Sequence, residues 1–314
     1  MRLLLFNPET EYALASGASF YTPPIRVEKL RKELQLLPEA WAEKDDYILV
    51  DDVSLLASKC RLVDWNMLES LFEEKPELKI EPWGWNPALI RRFKDNGVPE
   101  HYLPDDQQMT FIRNLAHRRT TVTLNTLWNN YIGKDFKVEV PVELKSEDAC
   151  MGFYYENPGC WMKAPWSSSG RGVINTSADM TEELVRQWCH GILRRQGSVM
   201  GETGADRLAD YATEWQLDQG QAIYLGLSSF NTSNRGKYIS NQRKSQKEMI
   251  EDFDAVSLIR HQEVVHTQKN ILEKVFAGYQ GLLGVDMLIE RNGKIRPFVE
   301  VNLRRTMGML YIDS

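Results

Sequence analysis

Toward the C-terminal end, Gly281 to Met309 (GLLGVDMLIERNGKIRPFVEVNLRRTMGM) sorts its side chains into two faces. Two runs rich in β-branched and apolar residues flank Arg291-Asn292-Gly293-Lys294, and Asn-Gly between such runs signals a hairpin. Successive strand residues point to opposite sides. Val285, Met287 and Ile289 therefore share a face with Val299, Val301 and Leu303, while Asp286, Glu300, Asn302 and Arg304 line the other. Loop length decides whether the polar groups meet. A two-residue Asn292-Gly293 loop sets Asp286 opposite Val299 and puts the two carboxylates on opposite faces. A three-residue loop, such as a type I turn closed by a glycine bulge, brings Asp286 opposite Glu300 or one pair away. We expect the odd loop. The polar set suits a hard cation and a phosphate, although an amphipathic hairpin with a solvated face accounts for the same residues.

The pattern upstream alternates strands and helices, which predicts an α/β domain. Leu3 to Phe6 reads as a buried strand ended by Asn7-Pro8, and residues 9 to 25 as a loop, either a binding loop or plain connection. Arg26 to Leu37 has helical spacing, Tyr47 to Val50 is a strand, and Trp65 to Phe72 a short helix. Trp83-Gly84-Trp85-Asn86 is an aromatic turn before a helix that starts at Pro87 and ends before Gly97, and packing is the simpler role for its tryptophans. Asp105 or Asp106 caps a helix through Leu115, and another begins near Val122. Lys137 to Leu144 and Gly159 to Pro165 read as strands around a helix capped by Ser146. A helix from Thr181 to Arg195, stopped by Gly197, leads to a strand at Ser198 to Glu202. Tyr211 to Leu217 pairs with Ala222 to Phe230 across Asp218-Gln219-Gly220-Gln221. After a polar loop, a helix from about Glu263 to Tyr279 shows an apolar stripe of Val265, Ile271, Leu272, Val275, Phe276 and Tyr279. No internal repeat or low-complexity tract is present.

Composition narrows the function classes. At 314 residues the chain can form two or three domains. A net charge of −6 leaves no basic footprint for nucleic acid, so any anion-binding surface is local. Cys60, Cys150, Cys160 and Cys189 have no metal or disulfide spacing and read as inert thiols. MRLLLF is too short for a signal core and no run of 18 apolar residues exists, so we expect a cytoplasmic protein with no membrane partner.

One stretch outside the hairpin has phosphate-binding chemistry. The strand CWMKAP carries Lys163 and is followed by Ser167-Ser168-Ser169-Gly170-Arg171-Gly172. Glycines let backbone N–H groups approach a phosphate and hydroxyls add donors, yet Ser and Gly are also ordinary loop residues. No GxxxxGK[ST] motif occurs. Ser228 to Lys247, with Arg235, Lys237, Arg243, Lys244 and Lys247, is either a local positive patch for an anionic substrate or a solvated loop. His261 and His266 lie five apart and make no metal pair.

The ordered set of Lys163, the Ser/Gly loop, Val199-Met200-Gly201-Glu202, Glu214, Asp286 and Glu300-Val301-Asn302-Leu303-Arg304 resembles the ATP-grasp superfamily over about residues 115 to 309. TEWQLDQGQAIYLG is similar to the matching region of biotin carboxylase. The resemblance implies an α/β (α+β) chain with the ATP-grasp fold and an N-terminal Rossmann-like pre-ATP-grasp domain. Its domains would be residues 1–110, a small subdomain at 111–200 with the phosphate loop, and a large subdomain at 201–314 with the hairpin. By the same resemblance Lys163 contacts the α and β phosphates and the Ser/Gly loop closes over them. Residues 199 to 202 read the adenine edge, with Glu202 at the ribose, and Glu214 is a further nucleotide-site carboxylate. Asp286, Glu300 and Asn302 hold Mg²⁺, and Arg304 faces the transferred phosphate. Where the family has an earlier lysine on the phosphates this chain offers Arg118 or Arg119, and, with only ten residues after Arg304, the resemblance raises the expectation of a C-terminal piece that is missing or supplied by another subunit.

The implied activity is an ATP-dependent carboxylate-amine ligase acting through an acyl-phosphate, on a small carboxylate and an amine acceptor. A catalytically silent ATP-binding regulatory protein is the alternative, and a structural interaction protein built on nine tryptophans a third. A homodimer is expected only by analogy.

Overall fold

The computed structural model describes residues 1–167, 172–177, 180–233, 236 and 238–312, in two compact units, Met1–Arg113 and Asn114–Ser314. Ser168, Ser169, Gly170, Arg171, Arg235 and Lys237, all named above, lie outside the described residues.

Unit 1 runs β1 (Arg2–Leu5), α1 (Thr10–Ser16), α2 (Ile25–Glu33), β2 (Tyr47–Val50), β3 (Arg61–Asp64), α3 (Leu68–Glu74), β4 (Lys79–Pro82) and α4 (Pro87–Asp95). Its four strands form a parallel sheet in the order β3-β2-β1-β4, the Rossmann-like arrangement expected for this half of the chain. The stretch 9 to 25, read from its pattern as a loop, contains α1, a seven-residue helix stopped by Gly17 at φ 67°. Trp83 is buried edge-on against Phe6, and Trp85 packs on Phe93, so both tryptophans serve packing. Asn86 caps α4 through Leu89 N–H at 2.9 Å.

The unit boundary falls within α5 (Asp106–Leu115). Unit 2 continues with α6 (Thr120–Tyr131), β5 (Val142–Leu144), α7 (Glu147–Glu156), β6 (Trp161–Lys163), β7 (Val173–Asn175), α8 (Glu182–Gln196) and β8 (Val199–Glu202). Its second half is β9 (Arg207–Asp218), β10 (Gln221–Thr232), β11 (Tyr238–Asn241), α9 (Gln246–Val256), α10 (His261–Val275), β12 (Gly281–Glu290) and β13 (Ile295–Asn302). A four-stranded sheet, β5-β8-β6-β7, is backed by buried residues of α7 and α8, among them Cys150, Met151, Val185 and Cys189. The cysteines are free thiols. A five-stranded antiparallel sheet has the order β11-β10-β9-β12-β13. The β9–β10 turn places both Gln219 and Gly220 at positive φ, the geometry that a two-residue hairpin turn demands.

The β12–β13 hairpin has the odd loop. Glu290 N–H donates to Lys294 O at 2.8 Å, which leaves Arg291-Asn292-Gly293 as a three-residue loop with Gly293 at φ 80°. That register alone would set Asp286 opposite Phe298. Instead, between the pairs Leu288↔Arg296 and Asp286↔Glu300, one residue of β12 faces three of β13, and the slip of two brings the carboxylates directly opposite. Pro297 cannot donate to a ladder, so an edge strand can bulge there. The bulge carbonyls are taken by two buried amides: Gln268 Nε2 donates to Pro297 O at 2.8 Å and Asn125 Nδ2 to Phe298 O at 2.9 Å. Thr213 Oγ1 holds Gln268 Oε1 at 2.8 Å. Replacing Gln268 by Leu orphans both partners and should cost about 2 kcal/mol, read as a lower urea midpoint.

Candidate nucleotide and metal site

The hairpin sorts its faces as its alternation demands. Val285, Met287, Ile289, Val301 and Leu303 are buried, whereas Asp286, Glu300, Asn302 and Arg304 are half-buried on the other side. Asn302 Nδ2 donates to Asp286 Oδ2 at 3.3 Å, and Arg304 NH2 to Asn302 Oδ1 at 3.1 Å. Asp286 faces Glu300 across the ladder, an arrangement that is destabilising for two like charges. Burial, with Glu300 and Glu214 close by, holds the Asp286 carboxyl well above the usual carboxylate range. A divalent cation relieves that repulsion. Two carboxylates and an amide oxygen are the hard donors Mg²⁺ takes, and Mg²⁺ needs few protein ligands because phosphate and water complete its shell. Burial draws the Arg304 guanidinium down to about 10, so it stays charged at neutral pH.

Two further basic groups belong to this neighbourhood. Lys163 on β6 is buried, and its Nζ donates to Glu202 Oε2 at 2.6 Å, which joins the expected phosphate lysine to the expected ribose carboxylate. Arg118, in the turn just before α6, is buried as well. Its NH1 donates to Ala164 O at 2.6 Å and Ser167 Oγ at 2.7 Å, and its NH2 to Glu300 Oε1 at 2.5 Å. It thereby ties the strand end before the Ser/Gly loop to the hairpin. Arg119 points elsewhere, with Glu143 at 3.8 Å and Asn114 Oδ1 at 3.3 Å, so of the two arginines only Arg118 stands in the site. Gly172 closes the described end of the loop, where a Cβ would come 3.0 Å from the Ala164 Cβ.

Two sets of the expected nucleotide-site residues are engaged within the fold. Val199, Met200 and Gly201 pair with β5 on one side, and Met200 and Gly201 also pair with β6 on the other. Their backbone is engaged in the sheet, and the strand ends at Glu202. Just after it, Thr203 O and Gly204 O accept from Arg296 at 2.9 Å and 2.7 Å. Glu214, the second case, is only 1% exposed and is held by side chains of the fold. Ser228 Oγ donates to its Oε1 at 2.9 Å and Thr306 Oγ1 to its Oε2 at 2.8 Å. Gly284 and Gly308 close over the carboxyl; a Cβ on Gly284 would lie 2.8 Å from Oε2. Glu214 is a brace beneath Asp286 and the chain after Arg304.

Pattern reading passed over Ser228, Thr306 and Asp210. Asp210 shares the polar face of β9 with Glu214 and accepts from Thr232 Oγ1 at 2.6 Å; their i, i+4 spacing on a strand was the available signal. In the basic loop, Lys244 and Lys247 pair with Asp252 and Glu251 on α9, and the Arg243 guanidinium lies over the Tyr311 ring, so these three serve local contacts. His261 shares a hydrogen bond with Tyr224 OH at 2.8 Å, and His266 lies near Asn270.

Burial, opposed by the Thr306 and Ser228 hydroxyls, pushes the Glu214 carboxyl up to about 7 from 4.5. The folded chain therefore binds this proton more tightly than the unfolded chain, and stability falls as pH rises from about 4.5 through 7, by about 3 kcal/mol in all. Glu214→Gln should flatten that decline, measured by urea unfolding on either side of the interval.

No protein-family model matches the sequence, and no curated protein matches it. Solved structures do match the fold. Biotin carboxylase from Campylobacter jejuni, as its beta-gamma-ATP complex, aligns with a TM-score of 0.58 at 13% identity, covering 98% of this chain and 66% of that one. The biotin carboxylase domain dimer of Hydrogenobacter thermophilus 2-oxoglutarate carboxylase, with MgADP, ADP and bicarbonate, gives 0.56 at 14%, covering 98% and 64%. L-amino acid ligase from Bacillus licheniformis gives 0.51 at 14%, covering 98% and 69%. The chain thus spans about two thirds of the length of these proteins. It has the ATP-grasp fold, preceded by a Rossmann-like domain. Among the described residues no helix is long and apolar enough to cross a membrane.

Proposed function

We propose that this protein is an ATP-dependent carboxylate-amine ligase that forms ADP and phosphate. The observation that carries the proposal is the register of Asp286 opposite Glu300, with Asn302 and Arg304 on the same face. An amphipathic hairpin with a merely solvated face needs no such convergence, and its like charges cost stability. The comparison structures add support, since one is named a ligase and two carry adenine nucleotides.

In the proposed reaction, a carboxylate oxygen of the acid attacks the γ-phosphorus of ATP, and the bond to the β-phosphate oxygen breaks to release ADP. An amine nitrogen then attacks the acyl-phosphate carbon, loses a proton and displaces phosphate. Lys163 and Arg118 would neutralise phosphate oxygens and Arg304 would orient the transferred group, so catalysis is positioning and charge stabilisation. Asp286, Glu300 and Asn302 would hold Mg²⁺, which would supply Lewis-acid neutralisation of the phosphates.

The test is a screen of small acids crossed with amines for ADP and phosphate release. Release that needs both an acid and an amine supports the ligase. Mg·ATP binding with no release across a broad panel supports the silent regulatory protein instead.

A further inference from the structure

Unit 1 holds a set of charged groups that the ligase proposal does not use. In a sheet of this order the switch point lies between β1 and β4, and there the crevice is plugged: Asn7 Nδ2 donates to Gly84 O at 2.7 Å, and Gly84 N–H to Asn7 Oδ1 at 3.3 Å. One strand over, past the ends of β1 and β2, stand Glu9 and Asp51; Arg31 from α2 and Arg92 from α4 pair with Asp51 and act on Glu9 through their charge. Arg31 NH1 donates to Asp51 Oδ1 at 2.6 Å, and Arg92 NH2 approaches the same oxygen at 3.4 Å. The Asp51 backbone N–H donates to Gln35 Oε1 at 2.9 Å, which anchors the chain at this residue. The Arg92 guanidinium is also stacked over the Trp65 ring at 3.7 Å.

Two guanidinium groups thus crowd one carboxylate oxygen, and each has more N–H donors than that oxygen accepts. Burial and the charge of Arg31 both lower the Arg92 guanidinium from its ordinary value, although Asp51 and Glu9 oppose them. An anion placed here would relieve the crowding. Glu9 has the opposite need. Its carboxyl is in the field of Arg31, Arg92 and Asp51, yet its Oε2 is shielded from solvent and has no hydrogen-bond partner among the described residues. A cationic donor would satisfy it. An amine alone leaves the arginines crowded, and a carboxylate alone leaves Glu9 Oε2 without a hydrogen bond.

We propose that this edge of unit 1 binds a free α-amino acid, its ammonium on Glu9 and its carboxylate on Arg31 and Arg92. The two charges of an α-amino acid are held a few bonds apart, which suits opposite charges that already influence one another through space. The proposal stands on unit 1 alone and does not depend on the ligase activity.

The experiment titrates each common amino acid into the full chain, without nucleotide, by calorimetry and thermal shift. Methylammonium and acetate serve as single-charge probes. Expected is saturable binding of at least one amino acid, weakened about tenfold or more by Glu9→Gln and by Arg31→Gln, with both single-charge probes at least about tenfold weaker. Absence of saturable binding across the set overturns the proposal, as does binding that survives Glu9→Gln unchanged or is matched by methylammonium. Should either variant misfold, the ¹³C carboxyl resonance of Glu9 in the wild-type chain decides: its titration midpoint should fall when the amino acid is added, and an unmoved midpoint overturns the proposal.

Discussion

Replacing Lys163 with alanine should reduce ATP turnover by roughly two to three orders of magnitude, the usual effect of removing one preorganised charge from a developing anion. The residue is buried on β6 with its Nζ on Glu202, so its position is fixed before any nucleotide arrives. Most of the loss should appear in kcat if the lysine acts on charge that develops in the transition state. The change also leaves Glu202, which is only 11% exposed, without its cation, so the melting temperature should fall too. Lys163→Arg separates the two effects. It restores charge near Glu202 and recovers stability, but its planar fork does not reproduce the ammonium, and turnover stays low. ADP release and thermal melts on the same preparations check both halves.

The second large effect is expected at Arg118. Its guanidinium holds the Ala164 carbonyl, the Ser167 hydroxyl and the Glu300 carboxylate at once. Arg118→Met keeps the bulk of the stem and removes all three bonds. Cutting one partner from a buried pair costs about 3–5 kcal/mol, and because Glu300 is 26% exposed the lower end applies. Turnover should fall with it, since the loop and the hairpin lose their link. Arg119→Met, one residue away and facing Glu143, should stay within about 0.5 kcal/mol of the parent. Equal losses in the two variants would contradict the assignment of Arg118 to the site.

These predictions rest on features that were unequally legible in the sequence. The hairpin was readable because its period of two is strict and Asn292-Gly293 marks the turn, so the odd loop and the polar face followed from pattern alone. Its bulge was not. Pro297 hints at one, but the amides that stabilise it, Gln268 and Asn125, come from helices far away in sequence. The choice between Arg118 and Arg119 was open for a similar reason, since the two sit side by side in the turn before α6 and only tertiary packing separates their partners. The burial of Glu214 was hidden because Thr306 and Gly308, which enclose it, arrive late in the chain.

Among the elements, β3 and β4 escaped because four-residue strands such as RLVD and KIEP carry almost no periodicity. α9 was hidden in a polar stretch, although Ser245 and Glu248 form a capping box that marks its start. α1 is short and built from small residues, and its evident stop signal is Gly17.

The most direct test of the central claim is the melting temperature of the wild-type chain and of Glu300→Gln, each with and without Mg·ATP. Glutamine keeps the shape of the side chain and removes the charge that faces Asp286. A clear rise with Mg·ATP in the wild type that disappears in Glu300→Gln is the predicted result, because a ligand stabilises only the fold that binds it. The same rise in both proteins would show that the nucleotide and its metal bind away from the Asp286–Glu300 face, and would contradict the account.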